Sequence, residues 1–206
     1  MKKLVISIIV AFLLWTIMFS PWTKEYVHFW TTMSVSAVLL IFLSFIFYGK
    51  EIRKSIWWSW KDVGIGVLSA AVLWGIFWLG NYFSTLLFPF AESQIGGIYN
   101  MKSGENYWVV GLLLLFVIGP AEEIFWRGYV QQRLSKRFSI VGSMVLATAV
   151  YTLVHIASFN FMLIMAALVA GAAWGLLYRL FPERFAAIII SHALWDTAVF
   201  IWFPIM

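Results

Sequence analysis

The sequence predicts an all-α protein, a polytopic bundle in which about seven transmembrane helices cross the bilayer. Of the 206 residues, 63% are hydrophobic and only 11% are charged. The mean hydropathy is +0.92, far from the balance of a soluble domain. The apolar residues also fall in runs close to the roughly 20 residues that a bilayer span requires. These three observations exclude a soluble globular protein.

Seven apolar runs are long enough to be spans. The third contains Asn81 and is long enough to tilt or split, so an eighth short helix is the alternative to seven. The first follows Met-Lys-Lys, as a secretory signal would, but Ser20-Pro21-Trp22 is not a cleavage site, and we interpret it as a retained helix. The runs cover residues 4–20, 30–48, 63–88, 108–126, 140–158, 161–178 and 185–203.

Basic residues predict the orientation of the bundle, because Lys and Arg favour cytoplasmic loops. When the chain is followed through seven spans, 12 of its 14 Lys and Arg fall on one side, and only Lys24 and Lys102 fall on the other. We therefore expect a cytoplasmic N-terminus. The net charge of +5 then reflects topology and attraction to lipid, with no nucleic-acid partner. The absence of cysteine excludes disulfides and thiolate chemistry.

Five ionisable side chains remain inside the predicted spans: Glu122, Glu123, His155, His192 and Asp196. A charged residue at a helix centre costs roughly 2.5–3.5 kcal/mol on insertion scales, so such residues usually face partners or wet cavities. At about 1.5 Å per residue, counting from the cytoplasmic ends brings them to similar depth. We expect one site that opens toward the cytoplasmic half or sideways into the lipid.

The stretch "GPAEEIFWR" gives its two carboxylates different surroundings. Glu123 and Arg127 are four residues apart, so they share a helix face and can pair, whereas Glu122 points about 100° away. Glu122 is therefore the candidate acid or base. Pro120 cannot donate to the carbonyl of Phe116, so we expect a kink that admits water.

Each part of this pattern also has a structural interpretation. The two glutamates and the arginine could be a helix end whose charges reach the interface by snorkelling. His155 could be a buried hydrogen-bonding residue, and His192 with Asp196 could be a clamp between helices. Coincidence in depth favours a functional site. Gly171 and Gly175, by contrast, form a small-residue ridge that predicts close helix packing.

Together these residues resemble the CPBP family of intramembrane proteases, also called the Abi or CAAX-protease family and related to the type II CAAX prenyl endopeptidase. The family pattern is Glu-Glu-x-x-x-Arg, then Phe-x-x-x-His, then His-x-x-x-(Asn or Asp). Here its parts are "EEIFWR" from Glu122, "YTLVH" ending at His155 and "HALWD" from His192. Tyr151 stands where the family usually has Phe. The resemblance covers about residues 108–200.

The resemblance implies an endopeptidase that hydrolyses a membrane-associated peptide or protein. By similarity, the catalytic residues are Glu122, Glu123, Arg127, His155, His192 and Asp196. Glu122 and His155 would activate a water, and Glu123 with Arg127 would order the site. His192 and Asp196 would stabilise the oxyanion. Because an ionised carboxylate repels an oxyanion, we expect Asp196 to orient His192 instead.

Two alternatives stay open at this level. Glu122, His155 and His192 could hold a zinc ion with room for a water, or the carboxylates could activate water without a metal. The resemblance also allows a non-catalytic membrane protein that gives bacteriocin self-immunity or binds a partner. A proton relay is a third function that buried carboxylates and histidines support.

The expected organisation is a single integral membrane domain over residues 1–206. Residues 108–203 would form the catalytic core, and residues 1–107 the N-terminal helices and loop. The longest outer loop, residues 89–107, carries Gly96-Gly97 and is either a mobile lid or a connector. We expect a multi-pass protein of a prokaryotic plasma membrane, with lipid and a peptide or membrane-protein substrate as partners.

Overall fold

The structure, a computed structural model, describes all 206 residues. It is helical with no strand, which confirms the predicted fold class. Seven helices are long and apolar enough to cross a membrane, and an eighth, α4, is short. The helices are α1 (Lys2–Phe19), α2 (Phe29–Ser55), α3 (Trp60–Leu87), α4 (Ala91–Tyr99), α5 (Tyr107–Leu134), α6 (Ile140–Leu153), α7 (Phe161–Leu180) and α8 (Pro182–Trp202).

Several helices begin at polar side chains that cap their first N–H groups. Ser59 and Asp62 form a capping box at the start of α3. Asn106 and Asn160 accept backbone N–H groups at the starts of α5 and α7. Such caps satisfy donors that have no partner within the helix and that lipid cannot satisfy. They therefore fix where each span begins.

Helices α5 and α8 form the centre of the bundle, and α3 lies at its edge. In an apolar stretch of 18 residues from each helix, 50% of the residues are buried in α5 and 56% in α8, but only 17% in α3. Helix α3 packs mainly against α8. Most of its surface therefore faces the surrounding lipid.

Helix α5 contains wide turns, in which an N–H bonds to the carbonyl five residues earlier. They cover Leu114–Ile118 and Ile124–Gln131, on both sides of the segment Gly119–Glu123. The first wide turn comes directly before Gly119 and Pro120. Although Pro120 has no N–H to donate, the helix continues past it. Helix α8 ends in a similar turn, Ala198–Trp202. Wide turns of this kind are rare and often lie at functional sites.

Gly119 lies at a close approach between the backbones of α5 and α8. A Cβ atom at this position would be 2.7 Å from Cα and 2.9 Å from N of Ala193. Only glycine leaves room for this contact. The contact brings the α5 glutamates beside His192, the neighbour of Ala193.

One basic residue that contributed to the predicted orientation is not a surface charge. Arg127 is 2% exposed and lies inside the bundle. Without it, 11 Lys and Arg still lie on one side, opposite Lys24 and Lys102. We call the side with these 11 residues the basic end and the opposite side, which carries α4, the α4 end. A cytoplasmic basic end stays a prediction.

Helix α4 and the residues after it close part of the α4 end. Gln94 holds α4 against the start of α7, because its backbone carbonyl accepts a hydrogen bond from Asn160 Nδ2 at 2.8 Å. The Tyr99 hydroxyl accepts from the N–H of Ile205 at 2.9 Å. Lys102 donates to the carbonyl of Phe200, and burial lowers the pKa of its amine. The expected outer loop is thus largely a docked helix.

Candidate active site

Glu123 is the centre of a buried charge cluster. Its side chain has no exposed surface. Its Oε1 accepts from Arg127 Nη1 at 2.7 Å and from His192 Nδ1 at 2.6 Å. The predicted pairing with Arg127 is therefore present, and the bond to His192 joins α5 to α8. Snorkelling to the interface is excluded, because both partners of the α5 pair are buried.

Arg127 is held on its other side by the small-residue ridge of α7. Its Nη2 donates to the carbonyl of Gly171 at 2.9 Å. The guanidinium also lies over the rings of Tyr151, at 5.1 Å, and Trp174, at 5.7 Å. Such contacts stabilise a desolvated cation. The ridge therefore does more than allow packing, because it leaves a backbone carbonyl accessible to the arginine.

His192 is fixed on three sides. Its Nδ1 faces Glu123, and its Nε2 lies 3.3 Å from Asp196 Oδ2. The imidazole also stacks on Trp174, with ring centroids 3.8 Å apart and planes 12° from parallel. Because ionised carboxylates only accept hydrogen bonds, this arrangement favours a hydrogen on both ring nitrogens. Asp196 contacts His192 as expected of an orienting residue.

Glu122 has the opposite environment from Glu123, although the two are adjacent. It is 5% exposed, and no Lys, Arg or His forms an ion pair with it. Its Oε2 has no hydrogen-bond partner, as is also true of Glu123 Oε2, but Glu122 lines a cavity and Glu123 does not. The Tyr151 hydroxyl lies beside the Glu122 carboxyl. A buried oxygen without a partner is costly in a native protein and calls for an explanation. A water or a substrate group would satisfy it.

His155 has a partner on each ring nitrogen. Its Nδ1 lies 2.8 Å from the carbonyl of Tyr151, and its Nε2 lies 3.2 Å from the indole nitrogen of Trp15. A carbonyl only accepts and an indole N–H only donates, which assigns the hydrogen to Nδ1 and the lone pair to Nε2. His155 lines the same cavity as Glu122, but no direct hydrogen bond joins them.

Trp15 is a site residue that the sequence did not reveal. It lies on α1 with no exposed surface. The chain has 13 tryptophans, and nothing in the apolar run around Trp15 distinguishes it from those that face lipid. Only the tertiary contact with His155 gives it significance.

The residues expected for zinc do not converge in the arrangement that the structure describes. No three His, Asp or Glu side chains are placed to hold one metal ion. The Nε2 lone pair of His155 is directed to Trp15. Both nitrogens of His192 face carboxylates within the site. The donor geometry thus does not fit the ligand set Glu122, His155 and His192.

A cavity of about 500 Å³ adjoins these residues, within the range of about 300–1,000 Å³ typical of ligand pockets. Of its 35 lining residues, 28 are hydrophobic. Glu122, His155, His192 and Asp196 supply ionisable groups at its wall. The cavity lies toward the α4 end. The expected opening toward the cytoplasmic half stays a prediction, because it depends on the orientation of the bundle.

Residues 104–198 match the family model described as "Type II CAAX prenyl endopeptidase Rce1-like". The predicted resemblance to the CAAX-protease family is confirmed over this segment. The Rce1-like segment contains all six residues predicted to be catalytic. No curated protein and no solved structure matches the chain. The chain thus has seven helices able to cross a membrane, and over residues 104–198 it is similar to a family of CAAX-type proteases.

Proposed function

We propose that this protein is an intramembrane endopeptidase in which Glu122 activates a water for attack on a peptide carbonyl. The difference between the adjacent glutamates carries the proposal. Glu123 is bound through Oε1 to Arg127 and His192 and does not line the cavity. Glu122 has no ion-pair partner, and it lines the cavity with a carboxyl whose Oε2 has no hydrogen-bond partner. A carboxylate in this position can take a proton from a bound water.

The reaction then needs only the atoms of water and the peptide. The water oxygen bonds to the carbonyl carbon while Glu122 takes one of its protons. The carbonyl oxygen becomes an oxyanion. When the intermediate collapses, the C–N bond breaks and the proton on Glu122 passes to the leaving nitrogen. The products are a carboxylic acid and an amine.

His192 is the proposed donor to the oxyanion. Glu123 fixes the ring through Nδ1, and Trp174 fixes its plane by stacking. The contact of Nε2 with Asp196 is long, at 3.3 Å, so its hydrogen can be shared with a developing oxyanion. Preorganised donors of this kind contribute about 10²–10³-fold to catalysis.

His155 is proposed to act through Nε2, the nitrogen that Trp15 occupies. A water that bonds to Glu122 and to Nε2 would replace the indole as the donor to this nitrogen. Trp15 would then be a placeholder in the resting site. The resemblance supports this role, because His155 stands at the histidine of the second family motif.

The direct test is Glu122→Gln, which keeps the shape of the side chain and removes the base. Purified protein in proteoliposomes is given a fluorescence-quenched peptide of apolar residues with terminal lysines. We expect a loss of about 10²–10⁴-fold in cleavage rate, the range for removal of a general base. The control is Glu92→Gln on α4, where the side chain is exposed. Full activity of the Glu122 variant would remove the proposal.

A non-catalytic immunity or partner-binding protein predicts a different outcome from the same variant. Binding would survive Glu122→Gln, because the change keeps size and polarity. The endopeptidase instead requires Glu122. We expect wild-type protein to restore the cellular phenotype of a deletion strain and Glu122→Gln not to restore it. Equal restoration by both proteins would support the binding function.

Metal-free water activation is the version of the mechanism that the donor geometry favours. We expect cleavage to persist in protein treated with a chelator and verified by elemental analysis to lack bound zinc. A loss of cleavage that added Zn²⁺ restores would contradict this prediction. The measurement is made on the full-length protein in the same proteoliposomes.

A further inference from the structure

The residues that line the cavity all come from one end of the bundle. Three stretches run through the basic end, residues 34–75, 123–150 and 171–191, and none of their residues lines the cavity. The lining residues lie instead on the turns of each helix nearer the α4 end. The cavity therefore extends from the glutamates, near the middle of α5, toward the α4 end only.

The mouth of the cavity faces sideways, between α3 and α7. Residues on both helices line the cavity and are also exposed, which marks them as its rim. On α3 these are Ile76, Phe83 and Leu87, with exposed fractions of 46%, 55% and 68%. On α7 they are Met165 and Val169, at 36% and 37%. An apolar rim on two membrane-spanning helices opens to lipid.

Gly80 lies in this rim on α3. It lines the cavity, and an added Cβ would meet no atom within 4 Å. Gly75, on the same helix, is equally open but does not line the cavity. The pair provides a matched way to block the mouth without a clash.

The wall formed by α3 also carries two polar side chains, Asn81 and Ser84. Neither side chain forms a hydrogen bond within the protein, although Thr85 donates to the Asn81 carbonyl at 3.1 Å. Polar side chains on a lipid-facing helix usually mark a function or a partner. Here they line the same cavity as Glu122.

We infer that the substrate enters from the membrane through the α3–α7 mouth at the α4 end, and that Asn81 and Ser84 bind its main chain. The occupant is an apolar polypeptide segment in extended conformation. This inference rests on the proposed function, since it names the substrate class of that site. The apolar lining receives the side chains, and continuity with Glu122 brings the main chain to the site.

The chemistry of an extended segment explains the two polar residues. A peptide that unwinds inside a membrane exposes N–H and C=O groups, and each costs several kcal/mol if it stays unpaired. An asparagine amide both donates and accepts, and a serine hydroxyl does the same. Asn81 and Ser84 therefore match the two kinds of main-chain group that an extended peptide presents.

The entrance is tested first by crosslinking, which does not require cleavage. The chain has no cysteine, so Gly80→Cys and Gly75→Cys, each combined with Glu122→Gln, provide single thiols. The probe is the apolar peptide with a central maleimide, in proteoliposomes. We expect the thiol at 80 to react about tenfold faster than the thiol at 75, and excess unlabelled peptide to suppress only the reaction at 80. Equal reaction rates for the thiols at positions 80 and 75 would contradict substrate entry through this mouth.

The same mouth is then blocked in the active protein. Gly80→Phe fills the rim and should lower the cleavage rate about tenfold relative to Gly75→Phe. Unchanged thermal unfolding of both variants shows that the fold is intact. If wild-type protein does not cleave the peptide but crosslinking remains selective for position 80, the proposed endopeptidase activity is contradicted, and entry through the α3–α7 mouth is still supported. Equal cleavage by the two variants would contradict substrate entry through the α3–α7 mouth and would leave the proposed endopeptidase activity supported.

The main-chain role is tested with Asn81→Leu and Ser84→Ala, which suit a lipid-facing helix. We expect each to raise KM several-fold, about tenfold for the double variant, with kcat nearly unchanged, because a ground-state contact is lost. Thr85→Val is the control, since the Thr85 hydroxyl bonds only to its own helix. A fall in kcat with unchanged KM, or an effect no larger than that of the control, would overturn the role of this pair.

Discussion

Arg127 is the residue on which the charge balance of the site depends. It neutralises a glutamate that has no exposed surface, and it is itself only 2% exposed. We expect Arg127→Ala to lower the free energy of unfolding by about 3–5 kcal/mol, because it leaves Glu123 with a single buried partner. Arg127→Lys should lower it less, since the cation stays but the fork that reaches Gly171 is lost. Thermal unfolding in detergent measures both changes.

The control for this prediction is Arg133→Ala. Arg133 lies on the same helix, where it contacts the ring of Tyr48 and forms no ion pair. Its removal should have a much smaller effect. Equal shifts for the alanine variants at positions 127 and 133 would contradict the role of Arg127 as the counterion of Glu123.

Trp15 offers a second prediction, which separates stability from activity. Trp15→Phe keeps an aromatic ring but removes the donor to His155. An acceptor left unpaired in the interior costs about 1–3 kcal/mol, so the free energy of unfolding should fall by that amount. Cleavage should stay within about threefold of wild type, because a water can take the vacated position. His155→Phe should lose cleavage.

A loss of cleavage in Trp15→Phe as large as in His155→Phe would show that the indole orients the histidine and is not a placeholder. The two measurements use the same preparation, so a folding defect is detected by thermal unfolding before rates are compared.

The charged site residues were predictable because their types are unusual inside a span. Glu122, Glu123, His155, His192 and Asp196 stand out against apolar neighbours. Their partners were not all predictable. The pairing of Glu123 with Arg127 follows from helical spacing, but its bond to His192 depends on how α5 and α8 pack. A residue count gives depth and does not give the facing side chain.

At the scale of the element, the position of α5 relative to α8 depends on Gly119. The nearest atoms to an added Cβ belong to the backbone of Ala193, which cannot rotate away. Gly119→Ala should therefore force α5 and α8 apart and cost about 1–3 kcal/mol, as overpacking does. Because the glutamates then shift relative to His192, cleavage should fall by about 10²-fold. Thermal unfolding and the quenched-peptide assay measure these effects.

Gly111→Ala is the matched control on the same helix. The nearest atom to a Cβ at this position is a side-chain carbon of Ile201 at 3.6 Å, an ordinary van der Waals contact. We expect wild-type stability and rate from this variant. If both alanine variants behave alike, the close contact at Gly119 does not position the site.

The long helices could be predicted from the sequence and the shorter features could not. Each of the seven apolar runs lies in a helix of the structure, since twenty apolar residues in lipid must be helical. Most of these helices match their runs within a few residues, whereas α2 and α5 continue for seven and eight residues beyond theirs. Helix α4 has only nine residues, two of them glycines, so its formation depends on docking against α7.

At the scale of the whole bundle, the position of the cavity along the helices could not be predicted from the sequence. Counting residues from the basic end gives the depth of the glutamates and histidines, and this puts them near the middle of the spans. It carries no information about where the helices separate. The cavity lies toward the α4 end, where residues of α3 and α7 line it.

Orientation is the last prediction, because it decides from which side of the membrane the proposed substrate arrives. The chain has no native cysteine, so single thiols report their own exposure. Glu92→Cys, at an exposed position on α4, and Ser135→Cys, at an exposed position in the loop after α5, mark the two ends. Since 11 basic residues cluster at the end with Ser135, we expect a membrane-impermeant maleimide to label Glu92→Cys in intact cells and Ser135→Cys only after permeabilisation. The reverse pattern would turn the cavity toward the cytoplasm, and the proposed substrate would then have to approach from the cytoplasmic half of the bilayer.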